Sequence, residues 1–471
     1  MVFSSLVFVC LFLPAVLILH TAIPNRKVQN GLLLAASLLF YAYGEPVYIF
    51  LMLASALFNY LFALLLGKSR SKLVLALAVA VNIGLLGVFK YTGFVMTNVN
   101  AALGLSLPVP QISLPIGISF FTFQALSYVI DVYRGEVAVQ RSYAKLLLYI
   151  SFFPQLIAGP IVRYVDVARE IDERTVSTRK ITFGLRRFIV GLGKKVLIAN
   201  AMGAAADYFF NHGAANLNML GAWIGAIAYL MQIYYDFSGY SDMAIGLGKM
   251  FGFRFKENFN HPYIATTVQE FWRRWHISLS SWFRDYVYIP LGGNRKGKIR
   301  TVLNRIIVFF LTGLWHGANW TFILWGLFHG FFLLLEEFIP FIKKLPKFIR
   351  RVYTLLAVTI GFVLFRADTI QEALVFITQM FSGVDFSAGT MSFTIQAVTP
   401  YFICMLLAAV LCCGPFAKLT ERVSSLENKE QLTGAEHTVQ ILSFVFSFLL
   451  LLWCIVRLAG GSYNPFIYFR F

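Results

Sequence analysis

Residue His316 sits in Leu311-Thr312-Gly313-Leu314-Trp315-His316-Gly317-Ala318-Asn319-Trp320, in the middle of an otherwise apolar stretch, 301–336. An ionisable side chain in such a setting is costly and rare, which makes it a functional candidate. A neutral imidazole can take the proton of a hydroxyl as that hydroxyl attacks a carbonyl. The bland alternative is a core histidine satisfied by its neighbours. Upstream stands Phe271-Trp272-Arg273-Arg274-Trp275-His276-Ile277-Ser278-Leu279-Ser280. Helical spacing predicts Arg273, His276 and Ser280 on one face, with Trp272, Trp275 and Leu279 as an apolar stripe. That pattern suits an interfacial anchor helix. It equally suits a pocket wall for a phosphorylated ligand, since guanidinium forks match phosphate oxygens. The loop Gly292-Gly293-Asn294-Arg295-Lys296-Gly297-Lys298 adds charge on a flexible backbone, as a cytoplasmic connector also would. A third run, Gln232 to Asp242, contains Tyr235, Asp236, Ser238 and Asp242. It reads either as the acceptor-rich wall of an aqueous path or as an internal hydrogen-bond network that breaks its helix. His276, His316 and His329 are too dispersed for a metal motif, and no acidic cluster joins them. The five cysteines lie in apolar segments with neither metal-ligand nor disulfide spacing.

The elements that must position these residues follow from composition. Of 471 residues, 58% are hydrophobic and only 13% charged, too few charges to cover a water-facing surface. Soluble enzyme, disordered scaffold and disulfide-stapled secreted domain are excluded. The net charge of +18 points first to basic cytoplasmic loops and second to an anionic ligand. Residues 1–20 read as a retained first helix, followed by Arg26 and Lys27. Residues 31–66 have the length of two helices, broken at Tyr43-Gly44-Glu45-Pro46. Span 73–89 follows, then a nearly uncharged outer loop over 90–111 and a return over 112–131. The short apolar piece 146–158, basic on both sides, predicts a re-entrant hairpin or an amphipathic surface helix. Spans are expected at 183–201 and 219–235, within 301–336, and at 352–366, 394–414 and 439–456. Residues 368–393, with three acids and no Lys or Arg, read as an outer loop. The count is ten to twelve spans, with no internal repeat.

The two histidine strings resemble the membrane-bound O-acyltransferase family, specifically its bacterial branch that O-acetylates alginate and other cell-envelope polysaccharides. Three further segments are similar to the same branch: Ser151 to Pro160, Tyr235 to Asp242, and Tyr288-Ile289-Pro290-Leu291-Gly292-Gly293-Asn294. The similarity runs from Met1 to about residue 380. It implies an all-α polytopic integral membrane protein, a crown of about 10–12 transmembrane helices with re-entrant segments around a central tunnel. The chain is then one membrane-embedded domain, with N-terminal helices (1–135), a catalytic core (136–340) and C-terminal helices (341–471). In the resemblance His316 takes the place of the near-invariant histidine, the general base. His276 falls at a second signature position that positions thioester or acceptor.

These roles lead to an expectation of acyl transfer from cytoplasmic acetyl-CoA, a substrate rather than a permanently bound cofactor, in a bacterial cytoplasmic membrane. Arg273, Arg274, Arg295 and Lys296 are expected near the 3′,5′-ADP part. Tyr235, Asp236 and Ser238 are expected along the tunnel, and Trp315 and Asn319 near the developing oxyanion. Expected partners are membrane lipid, acyl-CoA and an extracytoplasmic acetyltransferase or other polysaccharide-modifying protein, with no nucleic acid and no metal. Two alternatives stay open. One is D-alanyl transfer to teichoic acid from a carrier-protein thioester. The other is a proton-coupled transporter, which would more often show an internal repeat.

Overall fold

Where water is absent, a spanning backbone must satisfy its own N–H and C=O groups, and long apolar runs therefore fold as helices. The computed structural model describes residues 1–212, 217–414, 416, 421–423, 425–429, 431–461 and 463–467. Every regular element among them is helical. Among the described residues, six helices are long and apolar enough to cross a membrane: Tyr48–Ser69, Lys72–Leu103, Thr178–Asn211, Trp320–Phe338, Lys347–Arg366 and Gly434–Ala459. A seventh span arises if Ala388–Ala397 and Pro400–Cys413, bent by 65°, count as one. Met219–Met250 and Lys298–His316 also have the length of a span and carry the polar motifs described above. The chain is an all-helical, multi-pass membrane protein. It divides into two compact units, residues 1–188 with 241–256, and 189–240 with 257–471.

In the first unit, Asn59 and Asn82 exchange amide hydrogen bonds of 3.1 and 2.8 Å between the helices Tyr48–Ser69 and Lys72–Leu103. Each polar side chain thus meets a partner instead of hydrocarbon. The second of these helices runs on to Leu103 and ends at Gly104 (φ +65°), so most of the expected 90–111 loop is helical. Residues 146–158 form the helix Tyr143–Ser151, a break at Phe152, and the short helix Phe153–Leu156. All thirteen are buried, which rules out a surface helix and leaves a broken element enclosed by protein. Phe153 packs among Phe8, Phe12 and Phe40, with ring centroids 5.4–6.2 Å apart.

The second unit holds the histidine motifs. The polar run 232–242 does not break its helix, which continues from Met219 to Met250. Two of its side chains find partners outside their own helix: the Tyr235 hydroxyl donates to the Ala409 carbonyl (2.6 Å), and Asp236 pairs with Lys195 (2.8 Å). Gly239 lets the neighbouring backbone close in, since a Cβ there would lie 2.7 Å from the Gly191 carbonyl. Lys298–His316 and Trp320–Phe338 form a hairpin in which Gly313 and Gly326 bring the two backbones into contact. A Cβ on Gly313 would lie 2.4 Å from the Phe322 carbonyl, and one on Gly326 2.3 Å from that of Phe309. The expected outer loop 368–393 contains two helices, Ile370–Ser382 and Ala388–Ala397. The start of the first was encoded: Thr369 caps it by accepting from Glu372 N–H (3.1 Å).

Candidate active site

His316 is the last residue of its helix, and only three residues separate it from the next. Asn319 opens that next helix by accepting from Thr321 N–H (3.1 Å), and its amide donates to the Asp368 carbonyl (2.8 Å). The turn is therefore fixed from both sides, and His316 is held at its start. Its imidazole is buried inside an aromatic cage. Trp315, Trp325 and Phe365 each meet it edge-on, with centroids 4.9, 5.0 and 5.1 Å away.

His276 reaches the same cavity by a different device. The helix expected through 271–280 is broken there, into Val268–Arg274 and Ile277–Phe283. His276 itself adopts φ +43°, a left-handed conformation rare outside glycine. Arg273, His276 and Ser280 consequently do not share a helical face. Two backbone hydrogen bonds to the segment 258–260 hold the break, Ile277 N–H to the Asn258 carbonyl and Asn260 N–H to the Arg274 carbonyl (both 2.9 Å). Glu336 caps the first of these helices, its carboxylate accepting from Val268 N–H (2.5 Å) and Gln269 N–H (3.0 Å). Buried strain of this kind persists only where surrounding contacts over-determine it, and it concentrates at functional sites.

The two imidazoles line one narrow cavity, together with Ile233, Phe237, Trp275, Trp325, Phe362, Phe365 and Ile467. Its walls are aromatic or aliphatic apart from the histidines. Phe237 meets the His276 ring edge-on at 4.6 Å. Burial alone pushes the His276 imidazole pKa down to about 3, so that ring is neutral at physiological pH. An apolar cavity with a neutral imidazole can accept a proton or a hydrogen bond, and its low dielectric strengthens any dipole aimed into it.

The other residues singled out in the sequence are dispersed. Trp315 is buried beside both rings, 6.0 Å from that of His276. Asn319 serves the helix cap, Tyr235 bonds Ala409, and Asp236 lies in the ion pair with Lys195. Ser238 is buried, and its hydroxyl has no partner among the described residues. Arg273, Arg295 and Lys296 are exposed, while Arg274 is held by Glu270 (2.9 Å). Sequence reasoning passed over Asn258, Trp325, Phe362, Phe365 and Ile467, and weighed His329 only as a metal ligand. His329 is fully buried, and its ring lies 5.1 Å from Trp272 and 5.3 Å from Trp325. One signal was available for it: Trp325 and His329 are four residues apart and so share a helix face.

A multi-pass helical protein with two buried histidines in one apolar cavity matches a known class. The chain belongs to the MBOAT, membrane-bound O-acyltransferase, family, whose profile covers residues 136–376. It is an acyltransferase. The chain is 40% identical to a probable alginate O-acetylase of Pseudomonas putida, over 100% of both chains. It is 44% identical to a probable alginate O-acetylase of Pseudomonas aeruginosa, over 81% of this chain and 75% of the relative. A peptidoglycan O-acetyltransferase of Helicobacter pylori is 36% identical, over 79% of this chain and 78% of the relative.

Proposed function

We propose that this protein moves an acetyl group from acetyl-CoA to hydroxyls of an extracytoplasmic polysaccharide, alginate or another envelope polymer, across a bacterial cytoplasmic membrane. Transfer to the polymer is direct or through an extracytoplasmic partner acetyltransferase. The observation that carries the reading is the shared cavity of His276 and His316. His316 acts as general base. The acceptor oxygen attacks the thioester carbonyl carbon as its proton passes to His316, the C–S bond breaks, and the imidazolium returns that proton to the departing CoA thiolate. Base catalysis of this kind supplies about 10²–10⁴-fold. Positioning of the two substrates and donors facing the oxyanion supply more of the acceleration. The exposed Arg273, Arg295 and Lys296 offer positive charge for the CoA phosphates.

The test is turnover by purified protein in proteoliposomes given acetyl-CoA inside and an alginate oligomer, with or without a candidate partner, outside. Free CoA thiol appearing in step with acetyl ester supports the reading. Transfer only from a D-alanyl carrier-protein thioester would move the assignment to teichoic acid modification. Proton-coupled flux without thioester cleavage would make the protein a transporter.

A further inference from the structure

Asn258 stands at the centre of the network behind His276. Its side-chain oxygen accepts from Ser278 N–H (3.2 Å) and from the Ser278 hydroxyl (2.9 Å), and it lies 3.2 Å from His276 Nδ1. The backbone N–H of Ser278 can only donate, so the atom facing it is the amide oxygen and not the amide nitrogen. That oxygen cannot donate to Nδ1, and a lone pair on Nδ1 would face its lone pairs. Nδ1 therefore carries the proton. The Ser278 hydroxyl, 3.4 Å from Nδ1, is closer to the amide oxygen and gives its proton there. Nε2 is left with its lone pair, is buried, and has no hydrogen-bond partner among the described residues.

We infer that Asn258 is a positioning residue that locks His276 in its Nδ1–H tautomer, so that His276 meets substrate as a hydrogen-bond acceptor at Nε2. This rests on the acyltransfer reading above, and it divides the labour of the two histidines. His316 takes the proton of the attacking hydroxyl. His276 receives an N–H or O–H of the substrate, such as a pantetheine amide N–H or a second sugar hydroxyl, and so sets the angle of the thioester or acceptor. The left-handed backbone at His276 and the Ile277 to Asn258 backbone bond belong to the same construction, because both fix where the ring emerges.

Charge around His276 is sparse, and a change at position 258 can therefore be read clearly. His316 is the other titratable residue lining the cavity. On the helix behind Phe237, Asp236 is turned to Lys195, and Glu257, next to Asn258, is exposed. Asn258→Asp keeps the acceptor but adds a negative charge at Nδ1, which favours imidazolium. Protonated His276 has no lone pair, so activity falls as pH drops through the raised pKa. The acid limb of the kcat profile should move up by about 1–3 pH units and activity should recover on the alkaline side. Asn258→Leu, lacking the acceptor, should lower kcat at every pH without moving the limb.

A superimposable profile for Asn258→Asp would overturn the inference. Solid-state ¹⁵N spectra of histidine-labelled protein, with His276→Asn to assign the signal, give an answer that needs no turnover. A protonated Nδ1 and bare Nε2 at pH 7.5 support the assignment, and the opposite tautomer overturns it. If wild-type protein shows the expected tautomer yet transfers no acetyl group, it is the acyltransfer reading that fails.

Discussion

Lys195 and Asp236 form an ion pair of 2.8 Å in which both side chains are almost wholly buried, and the second Asp236 oxygen accepts the backbone N–H of Ile467 at 2.8 Å. Lys195 also donates to the Pro465 carbonyl and to Asn200 Oδ1 (2.9 Å). Asn200 in turn holds Asn464 (3.1 Å). The pair thus seats residues 464–467, and Ile467 is part of the wall around the two histidines. Asp236, read from the sequence either as part of an aqueous wall or as part of an internal hydrogen-bond network, is half of a clamp in the folded unit.

Breaking that clamp on one side strands a charge. Asp236→Asn should destabilise the protein by about 3–5 kcal/mol, because the Lys195 ammonium stays buried without its counter-ion. The double change Asp236→Leu with Lys195→Met should recover most of that loss, as apolar replacements of buried pairs do. Thermal unfolding in detergent, with each single and the double variant compared, checks both statements. Equal losses in the single and double variants would mean that the pair contributes through shape and not charge.

Acidification offers a second handle. His276 has its folded-state pKa lowered to about 3 by burial, against about 6.5 for an unfolded histidine. Between those values the unfolded chain binds the extra proton, so stability is fully present above pH 6.5 and declines as pH falls towards 3. At pH 5 the deficit from this residue is about 2 kcal/mol. His276→Asn should therefore flatten part of the wild-type fall in melting temperature between pH 7.5 and 5. A parallel fall in the variant would place the acid sensitivity elsewhere.

The hairpin that carries His316 depends on backbone contact. Gly326→Ala pushes a methyl to within 2.3 Å of the Phe309 carbonyl, which belongs to a helix and cannot turn aside. Overpacking of this kind costs about 1–3 kcal/mol. Gly330→Ala, one turn later, meets only the Phe309 side chain at 3.2 Å or more and should be mild. Melting temperatures of the two variants, with acetyl-transfer rates beside them, separate loss of packing from loss of the site.

Much of the architecture was legible in the sequence because hydrocarbon leaves few choices. The interruption at 316–319 and the helices on either side of it follow from apolar length and an Asn at the N-cap. Other features were hidden for physical reasons. The break at His276 depends on Asn258, eighteen residues away, and no local propensity marks it. The run 232–242 looks like a helix breaker because it is polar, yet its partners Lys195 and Ala409 are distant in sequence and leave the backbone bonds intact. Residues 368–393 lack the apolar length of a span and so resembled a loop, although Thr369 and Glu372 mark a helix start. The contribution of Ile467 to the cavity had no sequence signal, since tertiary contacts alone bring it there.

The central claim is that His316 takes a proton from the acceptor hydroxyl, and a single-turnover measurement with radiolabelled acetyl-CoA in proteoliposomes addresses it most directly. His316→Ala should lower the rate of acetyl-ester formation by about 10²–10⁴-fold while the protein remains folded, membrane-inserted and of unchanged melting cooperativity. Acetyl-ester formation at the wild-type rate in a folded His316→Ala variant would contradict the account.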